Sequence, residues 1–379
     1  MKSLLKFPLL VAVATMMTCS FSACSDNDDP TPDTGTSETD AKFEAIAKQY
    51  LDHTVYVTYK NLADETEQLV KDLQALKSSK TDANVKATCE TFLEARAWWE
   101  KSEAFLYGAA TDFGIDPHID SWPLDLDGLQ TALKNTEQVE AMGGEDGDIY
   151  AGEKLGNSLL GFHGIEYILF EDGDLHLTYA VAVAGDLRNR CWQLELSWRG
   201  ESAVNADRVA KVANELELPY TVNSGEYSYG ENMLNAGKAG STYAMQAIID
   251  GCKTIADEVG TSKIGKPYSG EDPAYIESPY SHKSILDFYD NIISIQNAYM
   301  GGIENERDET NSLHNYIAGV DKELDTKVVN AINNALTKIN AMAAPFVNNI
   351  KDPSAGEAIK ACQDLDAILS DVKTALRNN

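Results

Sequence analysis

The chain has 379 residues, with 31 Lys and Arg against 60 Asp and Glu, for a formal net charge of −29. So acidic a polypeptide repels nucleic acid and anionic headgroups and attracts cations or basic partners. Its length suffices for two cores of ordinary size.

Lys2 and Lys6 precede a short apolar run at 9–17, and Phe21-Ser22-Ala23-Cys24 closes it with small residues before a cysteine. Residues 1–23 read as a secretory signal, too short to span a membrane and followed by no stop-transfer run. The small-small-Cys ending resembles the bacterial lipobox. By that resemblance Cys24 becomes the first mature residue and carries a lipid, the chain's single link to the membrane. Residues 25–37 hold no large apolar side chain, so 24–38 reads as a disordered tether. Asp26, Asp28 and Asp29 resemble the surface-export signals of some lipoproteins, or simply solvate the spacer.

Helical periodicity then dominates. Phe43, Ile46, Ala47, Tyr50, Leu62, Leu69, Leu73 and Leu76 predict helix over 40–77. Val85, Cys89, Phe92, Leu93 and Ala97 predict another over 83–108, where Arg96, Trp99 and Glu103 recur at i, i+3 and i+7 and share one face. A Gly-, Pro- and Asp-rich loop at 111–127 carries His118, Asp120 and Asp125, which either complete a metal shell or cap turns. Leu129, Leu133 and Val139 mark a short helix ended by Met142-Gly143-Gly144.

The helix expected over 151–170 contains Gly161-Phe162-His163-Gly164-Ile165-Glu166. His163 and Glu166 leave one face a turn apart. An imidazole nitrogen and a carboxylate oxygen there make half of a site for zinc or iron. The plainer alternative is a partly buried histidine satisfied by one hydrogen bond. Glu103 then becomes a third ligand, or a carboxylate that orients His163.

Glu171-Asp172-Gly173-Asp174 punctuates the chain and divides it into 39–174 and 175–379. Further helices are expected at 175–198, 205–217, 232–259, 281–300, 324–346 and 356–376, with almost no sheet. Ser281 reads as an N-cap, or as part of a helix start whose amides bind an anion. Cys89, Cys191, Cys252 and Cys362 are scattered without a Cys-x-x-Cys, which argues against a thiolate zinc site and leaves disulfides or buried thiols. The fold class is therefore all-α: two tandem four-helix-type bundles after the signal and tether, with a cleft between them.

Gly161-x-His163-x-x-Glu166 occurs with Arg96-x-x-Trp99-x-x-x-Glu103-Ala104-Phe105, Ile119-Asp120-Ser121-Trp122-Pro123, Lys263-Ile264-Gly265 and Tyr280-Ser281-x-x-Ser284. Together, and in this order over about residues 40–375, they resemble the imelysin-like family. The resemblance implies two similar helical bundles with the Gly-x-His-x-x-Glu segment near their interface. It implies a periplasmic or surface-exposed protein of the bacterial cell envelope, linked to iron uptake and to outer-membrane or periplasmic uptake components. It marks His163 and Glu166 as the signature with Gly161 structural, and brings Glu103 and Asp120 into the metal set. Arg96, Trp122, Tyr280 and Ser281 become ligand-binding or supporting neighbours.

Three functions follow. The first is a lipid-tethered protein that binds iron, haem or another metal-bearing ligand in the inter-domain cleft, with iron or zinc as the metal. The second is a metallopeptidase, the family's historical label. There is no His-Glu-x-x-His, however, and Tyr167 breaks the inverted His-x-x-Glu-His form, so no base is left on this helix. The third is an interaction module whose polar cluster fixes how the bundles dock.

Overall fold

The computed structural model describes residues 38–235 and 238–378. The signal, Cys24 and the tether lie outside the described residues. Helix α1 (Glu38–Tyr50) runs through a π-helical turn at Leu51–Val55 into α2 (Tyr56–Ser78). The stripe predicted from sequence faces inward: Leu62, Leu69, Leu73 and Leu76 are fully buried, each worth about 1.5–3 kcal/mol of apolar transfer.

Helix α3 (Asp82–Glu100) begins where the Thr81 side chain accepts from the Asn84 amide, an N-cap. It stops short of the expected 108. The Ser102 amide turns back to the Trp99 carbonyl at 2.8 Å, and the Ala104 amide donates to Ser294 Oγ at 3.1 Å. Glu103 therefore sits on a separate 3₁₀ turn, Glu103–Phe105, and not on the helix face of Arg96 and Trp99.

The helix expected over 151–170 is also interrupted. It divides into Gly147–Lys154, a 3₁₀ turn at Asn157–Leu159, and α4 (Gly161–Phe170). Next comes α5 (Leu177–Arg199), which follows Asp174 in sequence and packs on α2. Helix α6 (Lys238–Glu258) continues into a π-helical turn, Val259–Lys263. Then follow α7 (Ser284–Met300), α8 (Lys322–Asn340) and α9 (Pro353–Asn378). Helices α6 to α9 pack on one another, α1 lies against α6, and α7 meets α3.

No strand occurs among the described residues, and Val222 and Tyr227 form an isolated bridge. The chain is all-α, as its periodicity indicates. Among the described residues no helix is long and apolar enough to cross a membrane. Cys89, Cys191, Cys252 and Cys362 are free thiols, and the last three are buried in separate helices.

Candidate functional site

Gly161 opens α4 with φ +69°, in the left-handed region that favours glycine. A Cβ at this position would collide with the carbonyl oxygen of Ile119. The missing side chain lets the start of α4 lie directly on the Ile119-Asp120 backbone. It thereby fixes where His163 meets Asp120.

His163 and Glu166 both point into a buried polar cluster, with 4% and 1% of their surfaces exposed. His163 Nε2 lies 2.9 Å from Asp120 Oδ1, out of line for a hydrogen bond, and Nδ1 lies 3.7 Å from Glu166 Oε2. Asp120 is held from two further sides: Arg96 donates to Oδ1, and Trp99 Nε1 donates to Oδ2 at 2.8 Å. Arg96 is the hub. Its guanidinium also reaches Glu100 at 2.5 Å and Glu277 at 2.6 Å, and lies 5.3 Å from the Phe162 ring centroid. Such pairing is what makes a buried guanidinium tolerable.

Lys263 is the second buried cation. The π-helical turn at the end of α6 delivers its ammonium to within 3.1 Å of Glu277, 3.5 Å of Glu103 and 3.6 Å of Glu100. Asn291 on α7 donates to Glu100 Oε2, the oxygen nearest Lys263, at 2.6 Å.

Glu166 is anchored differently. Its Oε1 accepts from the amides of Tyr280 and Ser281, at 3.2 and 2.7 Å, and from Ser281 Oγ at 2.7 Å. Ser281 does not cap α7, which starts three residues later at Ser284. The anion expected at these amides is the protein's own carboxylate. Burial alone would raise the Glu166 carboxyl, but His163 and the Ser281 donors outweigh it and hold it below the ordinary value. Burial would likewise lower the His163 imidazole, yet the Asp120 and Glu166 carboxylates beside it push it up to about 9. Asp120 lies well below the carboxylate range because Arg96 and His163 overcome its desolvation.

The remaining acids go the other way. Burial raises Glu103 and Asp287 well above the usual carboxylate value and Glu277 to about 7, in each case despite a nearby cation. Burial is the largest cause, and neighbouring acids add to it. Glu100, Glu103, Asp120, Glu166, Glu277 and Asp287 face only Arg96, Lys263 and the His163 ring. Several carboxyl oxygens are buried with no hydrogen-bond partner, among them Glu277 Oε2, Glu166 Oε2 and Asp287 Oδ2.

Two groups have the spacing of a metal shell, with one donor atom per residue and all within 4.8 Å: Asp120, His163 and Glu277, and Glu100, Glu103 and Asp120. Of the expected ligands, Asp120, His163 and Glu103 fall in these groups, and Glu166 stands beside them. Trp122 lies tilted against Tyr275, centroids 3.8 Å apart, and its own centroid is 6.3 Å from the His163 ring. Tyr280 contributes its amide to Glu166, while its ring meets Tyr167 edge-on. Asp125 accepts from the Gly128 amide and caps the helix Leu126–Lys134, and His118 turns to Asp186.

Glu100, Glu277 and Asp287 were missing from the residues selected in the sequence. Glu100 carried a signal, four residues after Arg96. Glu277 lies in a loop without periodicity. Asp287, with Asp290, Asn291 and Ser294, looks like the wet face of α7, yet all four are buried.

An all-helical chain that buries a histidine, two basic side chains and a surplus of carboxylates is, by fold and site together, a helical protein with a polar centre suited to cations. A model described as Imelysin, also labelled peptidase M75, matches residues 55–372. The chain belongs to the imelysin family. It is 26% identical over 328 residues to iron-regulated protein A of Synechococcus elongatus, covering 85% of this chain and 82% of that protein. A crystal structure described as an iron-regulated protein A precursor from Parabacteroides distasonis superposes with a TM-score of 0.73 at 27% identity, over 90% of this chain and 96% of that one. An imelysin-like protein from Psychrobacter arcticum shares the fold, with a TM-score of 0.62 at 11% identity over 88% and 95% of the two chains.

Proposed function

We propose that this chain binds a metal ion, or a ligand bearing one, at the buried cluster where α3, α4, α7 and the Val259–Lys263 turn converge, in the service of bacterial iron acquisition. One observation carries the reading: the cluster buries more carboxylates than it has cations to neutralise them. Desolvated anions must take up protons or a cation. Asp120, His163 and Glu277 would hold the ion, with Glu166 at its margin. One imidazole and several carboxylates suit iron or zinc. A bound ion would supply the positive charge that protons on Glu277 and its neighbours otherwise supply, so uptake would release protons.

The names of the iron-regulated relatives support iron as the relevant metal. The lipobox resemblance supports a protein tethered to the cell envelope and working beside uptake components. The test is metal content after dialysis against ferrous iron or zinc at neutral pH, for wild type, His163→Ala and Glu277→Gln. Wild type should retain metal, and each variant should lose affinity by about tenfold or more. Equal loading of all three would remove this cluster from metal binding.

A further inference from the structure

A second feature lies beyond the buried cluster. Between α6 and the segments around Gly108, Trp198 and Tyr229 is a cavity of about 780 Å³, within the range of small-molecule sites. Its acidic groups are Glu103, Asp112, Asp250 and Glu258. Among the described residues, no lysine, arginine or histidine lines it. Two of the acids are engaged by cations outside the lining: Lys373 holds Asp250, and Lys263 stands 3.5 Å from Glu103. Asp112 accepts from the Tyr229 hydroxyl at 2.7 Å.

The aromatic lining is Tyr107, Trp198, Tyr229 and Tyr243. Trp198 packs at 6.0 Å from Tyr107 and 5.6 Å from Tyr229, centroid to centroid. Gly108, at φ +82°, permits this: a Cβ there would come within 2.9 Å of the Tyr229 ring and 3.3 Å of Trp198. Trp198 is 2% exposed, and its indole N–H is a buried donor with no hydrogen-bond partner. Such a donor is costly to leave unmet. Tyr243 at the rim is 67% exposed.

Aromatic faces and carboxylates both attract a positive charge, and aromatic faces also accept an apolar body. Negative ligands are repelled. We infer that this cavity binds a small organic cation: a substituted ammonium on an apolar frame. The aromatic lining takes the frame, and Asp112 and Glu258 draw the charge. The cavity shares Glu103 with the buried cluster but does not involve His163, so the two readings can fail separately.

Calorimetric titration of the full chain with acetylcholine as probe tests this, beside its neutral isostere in which carbon replaces the ammonium nitrogen. Acetylcholine should bind saturably and quench tryptophan fluorescence, about tenfold or more tighter than the isostere. The double variant Asp112→Asn, Glu258→Gln should erase that preference, and Tyr243→Ala should weaken binding severalfold without loss of fold. His163→Ala should bind as wild type does. The inference fails if acetylcholine does not saturate, if the isostere binds equally well, or if the double variant keeps the preference for charge.

Discussion

Arg96 and Arg208 each gather three carboxylates, but in different surroundings. Arg208 donates to Asp64 at 2.5 Å, Glu67 at 2.9 Å and Glu195 at 2.7 Å, and its guanidinium lies 5.5 Å from the centroid of the Trp192 ring. Asp64 and Glu67 keep 40% and 32% of their side-chain surface in solvent and share Lys60 and Lys71. Partial burial raises both carboxyls, but hydrogen bonds from those lysines and from Arg208 outweigh it and hold them below the ordinary range. Every acid there has its cation. Around Arg96 the partners are almost dry, and Glu277, Glu103 and Asp287 are left raised. The first network is a clasp in balance. The second buries more acids than cations, as the proposed metal centre requires and a brace does not.

Replacing each arginine by methionine should expose the contrast most strongly. Arg96→Met strands buried carboxylates and should cost about 3–5 kcal/mol in urea denaturation. Arg208→Met leaves Asp64 and Glu67 partly solvated with Lys60 and Lys71, and Glu195 with Arg199, and should cost about 1 kcal/mol. Equal losses would mean that the two networks are the same kind of device.

The next effect is a pH dependence centred on His163. Its pKa is raised from 6.5 to about 9. The stabilisation is therefore complete below pH 6.5 and is lost as pH rises through about 9. Glu277, raised to about 7, acts in a lower window: its cost to the fold grows from pH 4.5 and is complete above 7. Between pH 6.5 and about 10, wild type should lose about 3 kcal/mol more than His163→Gln, followed by urea unfolding. Parallel curves for the two proteins would show that the Asp120–His163 contact contributes no such linkage.

The smallest effect concerns the placement of the centre. Gly161→Ala should cost about 2 kcal/mol, because a methyl there meets the Ile119 carbonyl and the backbone is left-handed. Gly173→Ala, where a Cβ meets nothing within 4 Å, is the control and should leave the melting temperature nearly unchanged.

Much of this was readable from residues alone, and the exceptions have physical reasons. The stripes of α2 and α8 are long and strictly periodic, so tertiary packing had nothing to override. His163 and Glu166 announced themselves as polar groups on an apolar helix. The breaks after Glu100 and around Gly156 were hidden, because they depend on contacts from afar, such as Ser294 Oγ meeting the Ala104 amide. Periodicity marks which positions share a face but not what that face touches. Asp287 and Asn291 were therefore indistinguishable from solvent-facing residues until α7 was laid against α3. Glu277 carries no local pattern at all. Its position follows from Lys263, 14 residues before it, and Arg96, 181 residues before it.

The widened coil at Val259–Lys263 has a consequence for how this lineage tolerates length changes. Trimming a single residue there would restore ordinary winding and swing the terminal ammonium about 100° around the axis, out of reach of Glu103 and Glu277. At this bend the extra residue sets the aim of a charge, so the spacing itself, as much as the lysine, is part of the design.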